Sequence, residues 1–378
     1  MSLADKFIKS TKLKGSGRLS KVLEEPVAYH DTGIPALNLA YSGDFNLGTR
    51  SGVTTIAGRS RSFKTLFGLI SAKAYLNHYP DSHMIFYDSE GGASADYFKS
   101  VGIDPDRVIY VRIMNIEELK FDMFEKLDAI KKAYEETKQY ERFVFFVDSI
   151  GNLASIKEVK DAEKGSEAVD MGTRAKSLKS LFRIITPYFD MYQMHGIFIN
   201  HVTSDISGMG GRDQMTGGQG VMLSSNDVFI VGKRQIKEGK DIIGWQFILN
   251  VEKSRTIRER AAIPFEVTYD GGLDKYSGLL DIALVTGHVT KPKMGWYTRP
   301  SIEDDKNWRR KDTSTEEFWA PLLSDDSFIK AVKNLYSLNG GDSLMQNKLD
   351  AIMDDTKQTY NLDDVDMETG EILNNIEE

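Results

Sequence analysis

The stretch that decides the fold of this chain is G-R-S-R-S-F-K-T at residues 58–65, formed by Gly58, Arg59, Ser60, Arg61, Ser62, Phe63, Lys64 and Thr65. The apolar run at 53–58 predicts a strand before it, and the apolar spacing across 64–79 predicts a helix after it. A loop that leaves a strand and opens a helix turns backbone N–H groups and the positive helix end toward phosphate oxygens. The segment therefore predicts a phosphate-binding loop.

Three residues of this loop have individual expectations. Lys64 is expected to reach the β- and γ-phosphates of ATP, and the hydroxyl of Thr65 is expected to ligate Mg²⁺. Phe63 stands where the usual pattern G-x-x-x-x-G-K-[ST] has its second glycine. Because backbone N–H donation does not depend on the side chain, we expect the loop to work if Phe63 keeps a negative φ. ATP and Mg²⁺ are the predicted cofactors.

The composition is that of a soluble globular protein and excludes several other classes. The chain has 378 residues, of which 40% are hydrophobic and 28% are charged. It has no apolar run of the roughly eighteen residues that a membrane span needs, and its N-terminal segment lacks the apolar core of a signal peptide. Cysteine is absent, which excludes disulfides, thiolate zinc sites and a cysteine nucleophile. We expect a cytoplasmic protein without a membrane partner.

Most of the negative charge lies at the C-terminal end. Residues 342–378 hold eleven acidic side chains and two lysines, a net of −9 within a total of −8, which leaves about +1 for residues 1–341. Such a composition predicts an acidic tail at 341–378 that is largely disordered. Two roles remain open for it: a solubilising end, or a mimic of DNA that competes for a basic groove or docks a mediator protein.

The order of the predicted elements indicates an α/β fold. Apolar runs at 84–90, 143–149 and 196–201 predict buried strands, and they alternate with predicted helices at 117–136 and 170–192. This alternation is typical of a largely parallel central sheet. Three strand-like runs without intervening helices predict an antiparallel extension at 227–235, 245–255 and 264–270. The predicted regions are a small N-terminal appendage at 1–30, the core at 31–275, a small C-terminal subdomain at 276–340 and the tail at 341–378.

Two carboxylates end predicted strands beside the phosphate-binding loop. We interpret Asp148, at the end of its apolar run, as the second magnesium ligand, the alternative being a cap for the next turn. Glu90 ends its strand in D-S-E-G-G, at the edge where ligands bind in such sheets. There it could orient and deprotonate the water that attacks the γ-phosphate, while a solvated turn glutamate is the alternative. Asp88 points the same way and could assist Glu90.

The order of these motifs resembles that of RecA-type recombinases, most closely the UvsX branch of phages. The resemblance runs from about Asp31 to Gly340. It is carried by T-G-I-P-A-L-N (32–38), the loop at 58–65, F-Y-D-S-E (86–90), V-F-F-V-D-S-I (144–150), I-F-I-N-H (197–201), T-G-G-Q-G (216–220) and V-E-K-S-R (251–255). The phenylalanine at 63 is similar to the UvsX variant of the loop. The resemblance implies a RecA-like P-loop ATPase core in a phage-encoded protein that acts in the bacterial cytoplasm.

The resemblance also implies roles that the residues alone leave unassigned. Tyr97 matches the tyrosine that stacks on adenine, and His201 matches a polar sensor of the γ-phosphate. Lys253 and Arg255 match basic residues that reach the ATP of the neighbouring subunit, where cations stabilise charge on the transferred phosphoryl group. In the same way the appendage at 1–30 is expected to serve oligomerisation. The implied catalytic residues are Lys64, Glu90, His201, Lys253 and Arg255.

Two segments, 156–171 and 202–224, lack a core pattern and are interpreted as mobile loops. In RecA-type proteins the corresponding loops hold single-stranded DNA along the filament axis. The helix after the first loop has Lys176, Lys179 and Arg183 on one face, which either is merely solvated or binds phosphates. Sparse aromatic residues in the loops predict backbone recognition with little sequence preference. The candidate DNA-binding residues are Met171, Arg174, Lys176, Lys179, Arg183, Met209, Arg212, Gly217 and Gly218.

Together these expectations predict an ATP-dependent recombinase, a DNA-dependent ATPase that forms a filament on single-stranded DNA and exchanges strands with homologous duplex DNA. The implied partners are both forms of DNA, other copies of the chain, a recombination mediator and a single-strand-binding protein. Two alternatives stay open at this stage. A hexameric replicative helicase shares the core, although only about fifty residues precede the loop here. A DNA-coating filament could carry a regulatory, nearly inert ATP site.

Overall fold

The computed structural model describes residues 2–11, 16–22, 27–165, 172–203, 213–238, 241–269, 271–302 and 304–338. The N-terminal elements are α1 (Leu3–Ser10), α2 (Leu19–Val22), β1 (Tyr29–His30), α3 (Pro35–Ser42) and β2 (Thr49–Arg50). The first half of the core contains β3 (Gly52–Gly58), α4 (Lys64–His78), β4 (His83–Asp88), α5 (Ala95–Val101), β5 (Val108–Arg112), α6 (Ile116–Thr137) and β6 (Phe143–Asp148).

The remaining elements complete the core and form a C-terminal part. The second half of the core contains α7 (Ile156–Glu163), α8 (Thr173–Met191), β7 (His195–Thr203), β8 (Gln214–Met215), α9 (Gln219–Ser224), β9 (Asp227–Glu238), β10 (Asp241–Lys253), β11 (Ala262–Thr268) and β12 (Gly272–Leu273). The C-terminal part contains α10 (Leu279–Val285), β13 (Thr290–Lys293), β14 (Trp296–Arg299), β15 (Asp304–Arg309), α11 (Glu316–Leu323) and α12 (Asp326–Tyr336).

The central sheet has the strand order β12-β11-β10-β9-β3-β7-β6-β4-β5, with β8 paired to β7. Every pair from β5 across to β9 is parallel, whereas β10, β11 and β12 add to β9 by antiparallel pairs. The predicted α/β class, with a mostly parallel sheet and an antiparallel extension, is confirmed. The antiparallel extension begins one strand later than predicted. The run at 227–235 forms β9, which pairs in parallel with β3 and so belongs to the parallel part of the sheet.

Two segments that were interpreted as mobile loops contain helices. Residues 156–163 form α7, which begins with a capping box in which Ser155 and Glu158 each bond the other's backbone N–H. The pattern S-x-x-E was readable at 155–158, so the loop interpretation of those residues was wrong. In the second segment, α9 lies between β7 and β9, and it provides the crossover that a return to the parallel part of the sheet needs.

Helices cover both faces of the sheet, as strands with continuous apolar runs require. On one face α3 and α4 pack against side chains such as Ile56 and Phe146. On the other face α6 and α8 pack against side chains such as Val53 and Phe145. Successive residues of β6 thus enter opposite cores, which is the two-residue period of a strand. None of the helices in the described ranges combines the length and apolar character needed to cross a bilayer.

The C-terminal part joins the first of these cores. Its small antiparallel sheet has the order β13-β14-β15, and its helices contribute Leu279, Trp319 and Phe328 to the same core as α3 and α4. The ring of Phe328 stacks on that of Phe45, with centroids 5.4 Å apart. This contact joins α12 to the segment that follows α3.

α1 is specified locally but leaves its apolar side in solvent. A capping box between Ser2 and Asp5 begins the helix, which accounts for its formation. None of its residues is buried, and Leu3 and Phe7 are 64% and 63% exposed. The apolar side of α1 is therefore available for a contact outside the described part of its own chain.

Gly68 tests the packing of α4 on the sheet, because a Cβ there would come within 2.7 Å of the Phe146 ring and 3.1 Å of Ile199. Gly68→Ala is expected to lower the free energy of unfolding by about 1–3 kcal/mol through overpacking, despite the better helix propensity of alanine. Urea unfolding followed by circular dichroism measures this change. Gly92→Ala is the matched control, since a Cβ there meets nothing within 4 Å. Equal stabilities of the two variants would contradict the packing argument.

Candidate active site

The phosphate-binding loop starts where β3 ends at Gly58 and closes where α4 begins at Lys64. A Cβ on Gly58 would lie 2.7 Å from the hydroxyl oxygen of Ser62 and 2.9 Å from the carbonyl oxygen of Val231, so this turn admits only glycine. The hydroxyl of Ser62 is buried and has no hydrogen-bond partner in the described residues. An unpartnered buried hydroxyl in such a loop fits a phosphate oxygen.

Phe63 adopts the left-handed backbone conformation with φ 60°, so the negative φ that was made a condition for the loop is not met. This conformation costs an L-residue about 1–2 kcal/mol. The ring of Phe63 lies against that of Phe247 in β10, with centroids 4.5 Å apart and planes tilted by 44°. Such aromatic pairs contribute about 0.5–1.5 kcal/mol beyond their buried area. The contact offsets most of the backbone cost and explains how phenylalanine replaces the usual glycine.

The loop borders a cavity of about 1040 Å³, a volume suited to a nucleotide. The predicted residues that line it are Ser60, Arg61, Ser62, Phe63, Lys64, Thr65, Glu90, Tyr97, Asp148 and His201. Lys233, Trp245 and Tyr269 line it as well and were not predicted, because no motif marks single positions of β9, β10 and the turn after β11. Lys233 Nζ donates to the carbonyl oxygens of Ser60 and Arg61 at 3.4 and 3.2 Å, which brings a second ammonium group to the loop.

Lys64 is almost fully enclosed, with 7% of its surface exposed. Its Nζ donates to the carbonyl oxygen of Arg59 at 2.8 Å. Burial lowers the pKa of the Lys64 ammonium, and the carboxylates of Asp148 and Glu90 act in the opposite direction. Because charges interact more strongly where water is excluded, an ammonium in this position attracts phosphate more than an exposed one.

Thr65 and Asp148 meet directly across the loop. The Thr65 hydroxyl donates to Oδ2 of Asp148 at 2.8 Å. Burial raises the pKa of the Asp148 carboxyl to about 6, against the hydrogen bond from Thr65, and Glu90 and Asp88 add to the increase. No group of three or more acidic or histidine side chains in the described part of the chain could hold a metal alone. One hydroxyl and one carboxylate fit Mg²⁺, which commonly completes its shell with phosphate oxygens and water.

Glu90 is held in place by three neighbours. Its Oε1 accepts hydrogen bonds from Oγ of Ser149 at 2.8 Å and from Nδ2 of Asn152 at 2.9 Å. The same oxygen lies 3.2 Å from Nε2 of His201. The carboxylate and the imidazole therefore form a connected polar group at the cavity wall.

Asp88 orients this carboxylate through the backbone. Its Oδ1 accepts from the N–H groups of Glu90 and Gly91 at 2.8 and 2.6 Å, and its Oδ2 accepts from the hydroxyl of Tyr110 at 2.9 Å. Asp88 itself is 2% exposed, whereas Tyr110 is 49% exposed, so these contacts join a buried carboxylate to groups at the surface. Asp88 therefore holds the turn that presents Glu90.

Lys253 and Arg255 lie far from the cavity of their own chain. Lys253 pairs with Val228, which in turn pairs with Thr55, three residues before Gly58. At about 3.3 Å per residue, this places Lys253 roughly 10 Å from the loop along the strand direction. The chain leads still farther away at Arg255. Both cations lie toward the amino ends of the parallel strands, opposite the phosphate-binding loop.

The candidate DNA-binding residues of α8 fall into two kinds. Lys176, Lys179 and Arg183 are exposed. Arg174 instead donates from Nε and Nη2 to the carbonyl oxygens of three residues after β6, at 2.7 to 3.0 Å. Arg174 therefore stabilises the backbone that follows β6, a role that the sequence pattern had not indicated.

The remaining candidates belong to the two loop segments. Gly217 and Gly218 have φ values of 90° and 78° and lead into α9, which fits their glycine identity. Met171, Met209 and Arg212 lie outside the described residues.

Short contacts connect the cavity wall to residues 213–216, which lie within the second segment. Arg59 donates from Nε and Nη2 to the two carboxylate oxygens of Asp213 at 3.0 and 2.8 Å. Asn200, next to His201, accepts from the hydroxyl of Thr216 and donates to its carbonyl oxygen, both at 2.8 Å. Both the phosphate-binding loop and the strand of His201 thus contact this part of the chain.

The loop between β3 and α4, the strand-end carboxylates and the strand order define a P-loop nucleotide-binding protein with a RecA-like core. Residues 276–332 match a family model described as the C-terminal domain of the bacteriophage T4 recombination and repair protein. The chain is 47% identical over 320 residues to the recombination and repair protein of Enterobacteria phage T4, covering 82% of this chain and 80% of that relative.

More distant similarity extends to bacterial RecA proteins. The chain is 26% identical over 285 residues to RecA of Streptomyces venezuelae, covering 74% of this chain and 70% of that protein. It is 24% identical over 247 residues to RecA of Malacoplasma penetrans, covering 65% and 70%. The chain belongs to the RecA-type recombinases, in the branch of the phage UvsX recombinases. It is a DNA-dependent ATPase that catalyses strand exchange. The helicase and inert-filament alternatives are therefore without support.

The pKa of Asp148 makes stability depend on pH. This pKa is about 6 in the fold against an ordinary value of 3.8, so the contribution of Asp148 is fully present below about pH 4 and is lost as pH rises through 6. In the absence of nucleotide, the free energy of unfolding of the wild-type chain should fall by up to about 3 kcal/mol more than that of Asp148→Asn as the pH rises from about 4 to 7. Urea titrations of both proteins across this range measure the difference. A difference that stays constant with pH would contradict the assignment.

Proposed function

We propose that the cavity binds ATP with Mg²⁺ and that Glu90 is the general base for hydrolysis of the γ-phosphate. The observation that carries this proposal is the convergence of Lys64, Thr65, Asp148 and Glu90 on one cavity wall. These residues supply a phosphate-binding cation, two magnesium-binding oxygens and a carboxylate. This combination is what phosphoryl transfer to water requires of a protein.

The phosphates would be bound by the loop and by two ammonium groups. Lys64 and Lys233 approach the loop from α4 and β9, and the buried Ser62 hydroxyl adds a donor that has no other partner in the described residues. Thr65 and Asp148 would hold the magnesium ion, which when bound neutralises charge on the phosphate oxygens. Tyr97, 37% exposed and on the same cavity, would stack on the adenine.

Glu90 would act on a water molecule placed between it and the γ-phosphate. Its contacts with Ser149 and Asn152 restrict the carboxylate to one orientation, which favours proton transfer to a fixed oxygen. His201 contacts Glu90 in this structure and would sense the γ-phosphate from the same position. Its neighbour Asn200 would transmit a shift of that strand to Thr216.

The site would be completed by a second copy of the chain. Lys253 and Arg255 lie opposite the loop of their own chain, so they can serve only the cavity of a neighbour. Cations supplied across a subunit contact stabilise charge that develops on the phosphoryl group. A head-to-tail contact of this kind repeats without closing when the rotation does not return to the start, and it then builds a helical filament.

The N-terminal appendage at 1–30 would strengthen this contact. α1 presents Leu3 and Phe7 together with the exposed cations Lys6 and Lys9. On the core, a groove beside the edge strand β5 contains the exposed ring of Phe121 and is lined by the acidic side chains of Glu117, Glu118, Asp122 and Glu125. Apolar contact and opposite charge favour α1 of one copy in the groove of the next.

Single-stranded DNA would lie along α8 and the two loop segments. The exposed face of Lys176, Lys179 and Arg183 would bind its phosphates, and the glycines at 217 and 218 would allow close backbone approach. Homologous duplex DNA would pair with the strand so held. We further propose a recombination mediator and a single-strand-binding protein as partners, in the cytoplasm of a phage-infected bacterium.

Replacing Glu90 separates ATP binding from hydrolysis. Glu90→Gln should lower the kcat of DNA-stimulated ATP turnover by about 10²–10⁴-fold while affinity for an ATP analogue changes little, because only the base is lost. Phosphate release and equilibrium nucleotide binding are the two measurements. Glu136→Gln removes an exposed carboxylate at the far end of α6 and should turn over ATP normally. Normal turnover by Glu90→Gln would move the role of base to another residue.

The face of α8 is tested by the salt dependence of DNA binding. Lys179→Ala/Arg183→Ala should weaken binding to an unstructured oligonucleotide and reduce the slope of log affinity against log salt by about 1.4, because each lost contact with single strands removes about 0.7. Fluorescence anisotropy at several salt concentrations gives the slope. Lys131→Ala/Lys132→Ala removes two lysines from α6 as a matched control. The same slope in both double variants would place the DNA elsewhere.

A further inference from the structure

The turn after β10 is anchored at the residue between the two proposed trans cations. Ser254 lies between Lys253 and Arg255, and its hydroxyl donates to Oδ1 of Asp227 at 2.9 Å. The same hydroxyl oxygen accepts from the N–H of Thr256 at 3.2 Å. One carboxylate therefore fixes the point from which both cationic side chains extend.

Asp227 is an unusual residue to find at this place in the sheet. It is the first residue of β9, pairs with Thr54 of β3 and is 2% exposed. Burial raises its pKa, and the charges of Arg50, Arg255 and Lys253 oppose that increase together with the hydrogen bond from Ser254. Because burial of an unpaired carboxylate is costly, its position is explained by the cations around it.

The two cations are also restrained individually. Lys253 Nζ donates to the carbonyl oxygens of Met222 and Leu223, at the end of α9, at 3.1 and 2.7 Å. Arg255 is exposed, and its charge lowers the pKa of both Asp227 and Asp190, whose burial raises it. The carboxylates thus attract Arg255 toward the sheet while its guanidinium stays accessible to a neighbouring molecule.

We propose that Asp227 is a positioning residue for ATP hydrolysis in the adjacent subunit, where it aims Lys253 and Arg255 at the bound phosphates. The proposal rests on the trans role of these two cations given above. Asp227 touches no substrate itself. It acts by fixing the turn at Ser254 and by holding the charge that keeps both cations at the same edge of the sheet.

Asp227→Asn tests this role because the amide keeps an oxygen for Ser254 and removes the charge that attracts the cations. A misplacement of about 1 Å can cost roughly 10²-fold in rate, so kcat should fall by about tenfold or more. The KM for ATP should change by less than about twofold, since the variant's own loop is intact. Asp281→Asn, which alters another largely buried carboxylate bonded to Gln246, is the control and should turn over ATP normally.

Mixed filaments distinguish a positioning role from a folding defect. Asp227→Asn has an intact cavity, and Glu90→Gln has intact cations, so each should supply what the other lacks. In a random equal mixture, roughly a quarter of all sites combine an intact cavity with an intact neighbour, which predicts about a quarter of wild-type turnover. Neither variant alone should approach that rate. The same mixture with Arg255→Ala in place of Asp227→Asn tests the trans proposal separately.

The outcomes are separable. Recovery in both mixtures supports the positioning role of Asp227. Recovery with Arg255→Ala but not with Asp227→Asn would overturn the role of Asp227 and keep the trans cations. No recovery in either mixture would overturn both proposals, and normal turnover by Asp227→Asn alone would overturn the inference about Asp227.

Discussion

The rest of the structure depends on the register of the parallel strands β3, β7, β6 and β4. Hydrogen bonding pairs Asp88 with Asp148 and Gly58 with His201, so the functional ends of four strands lie at one edge. The phosphate-binding loop and the residues that we propose as magnesium ligand, general base and γ-phosphate sensor meet there because the backbone ladder places them together. A slip of one residue in any strand would turn its side chains to the opposite face and disperse the site.

This dependence on strand ends explains how much could be predicted. Continuous apolar runs that end in Asp148 or in D-S-E announce both the strand and its functional end, so the cavity residues could be named from the sequence. Contacts between segments that are distant in the sequence could not be predicted in this way. The left-handed conformation of Phe63 depends on the ring of Phe247, and Lys233 enters the cavity from a strand without a motif. The helix at 156–163 is a different case, because its capping box is a local sequence pattern from which the helix could have been predicted.

The same sheet separates two groups of residues that we propose act in hydrolysis. Its carboxyl edge holds the cavity, while Lys253 and Arg255 lie toward the amino edge, on an antiparallel strand that runs away from the loop. Lys253 lies roughly 10 Å from the loop along the strand direction. Its Nζ instead donates to the carbonyl oxygens of Met222 and Leu223. In the proposed mechanism these cations act on phosphates bound by a second copy of the chain, so hydrolysis requires that copy. The buried Asp227 would then organise a surface that serves the active site of the neighbour and not that of its own chain.

The phosphate-binding loop is connected to residues 213–216, in the segment proposed to bind DNA, by an ion pair that adds little to stability. The Arg59–Asp213 pair is largely exposed on its arginine side, and such pairs contribute at most about 1 kcal/mol. Its geometry matters more, because it joins the phosphate-binding loop to the residues that lead into Thr216 and the two glycines before α9. The other end of α9 is held by Lys253. In the proposed filament, a phosphate that attracts Arg59 and a neighbour's phosphate that attracts Lys253 would act on opposite ends of this helix. Occupancy of two adjacent nucleotide sites would then affect the same segment that we propose binds DNA.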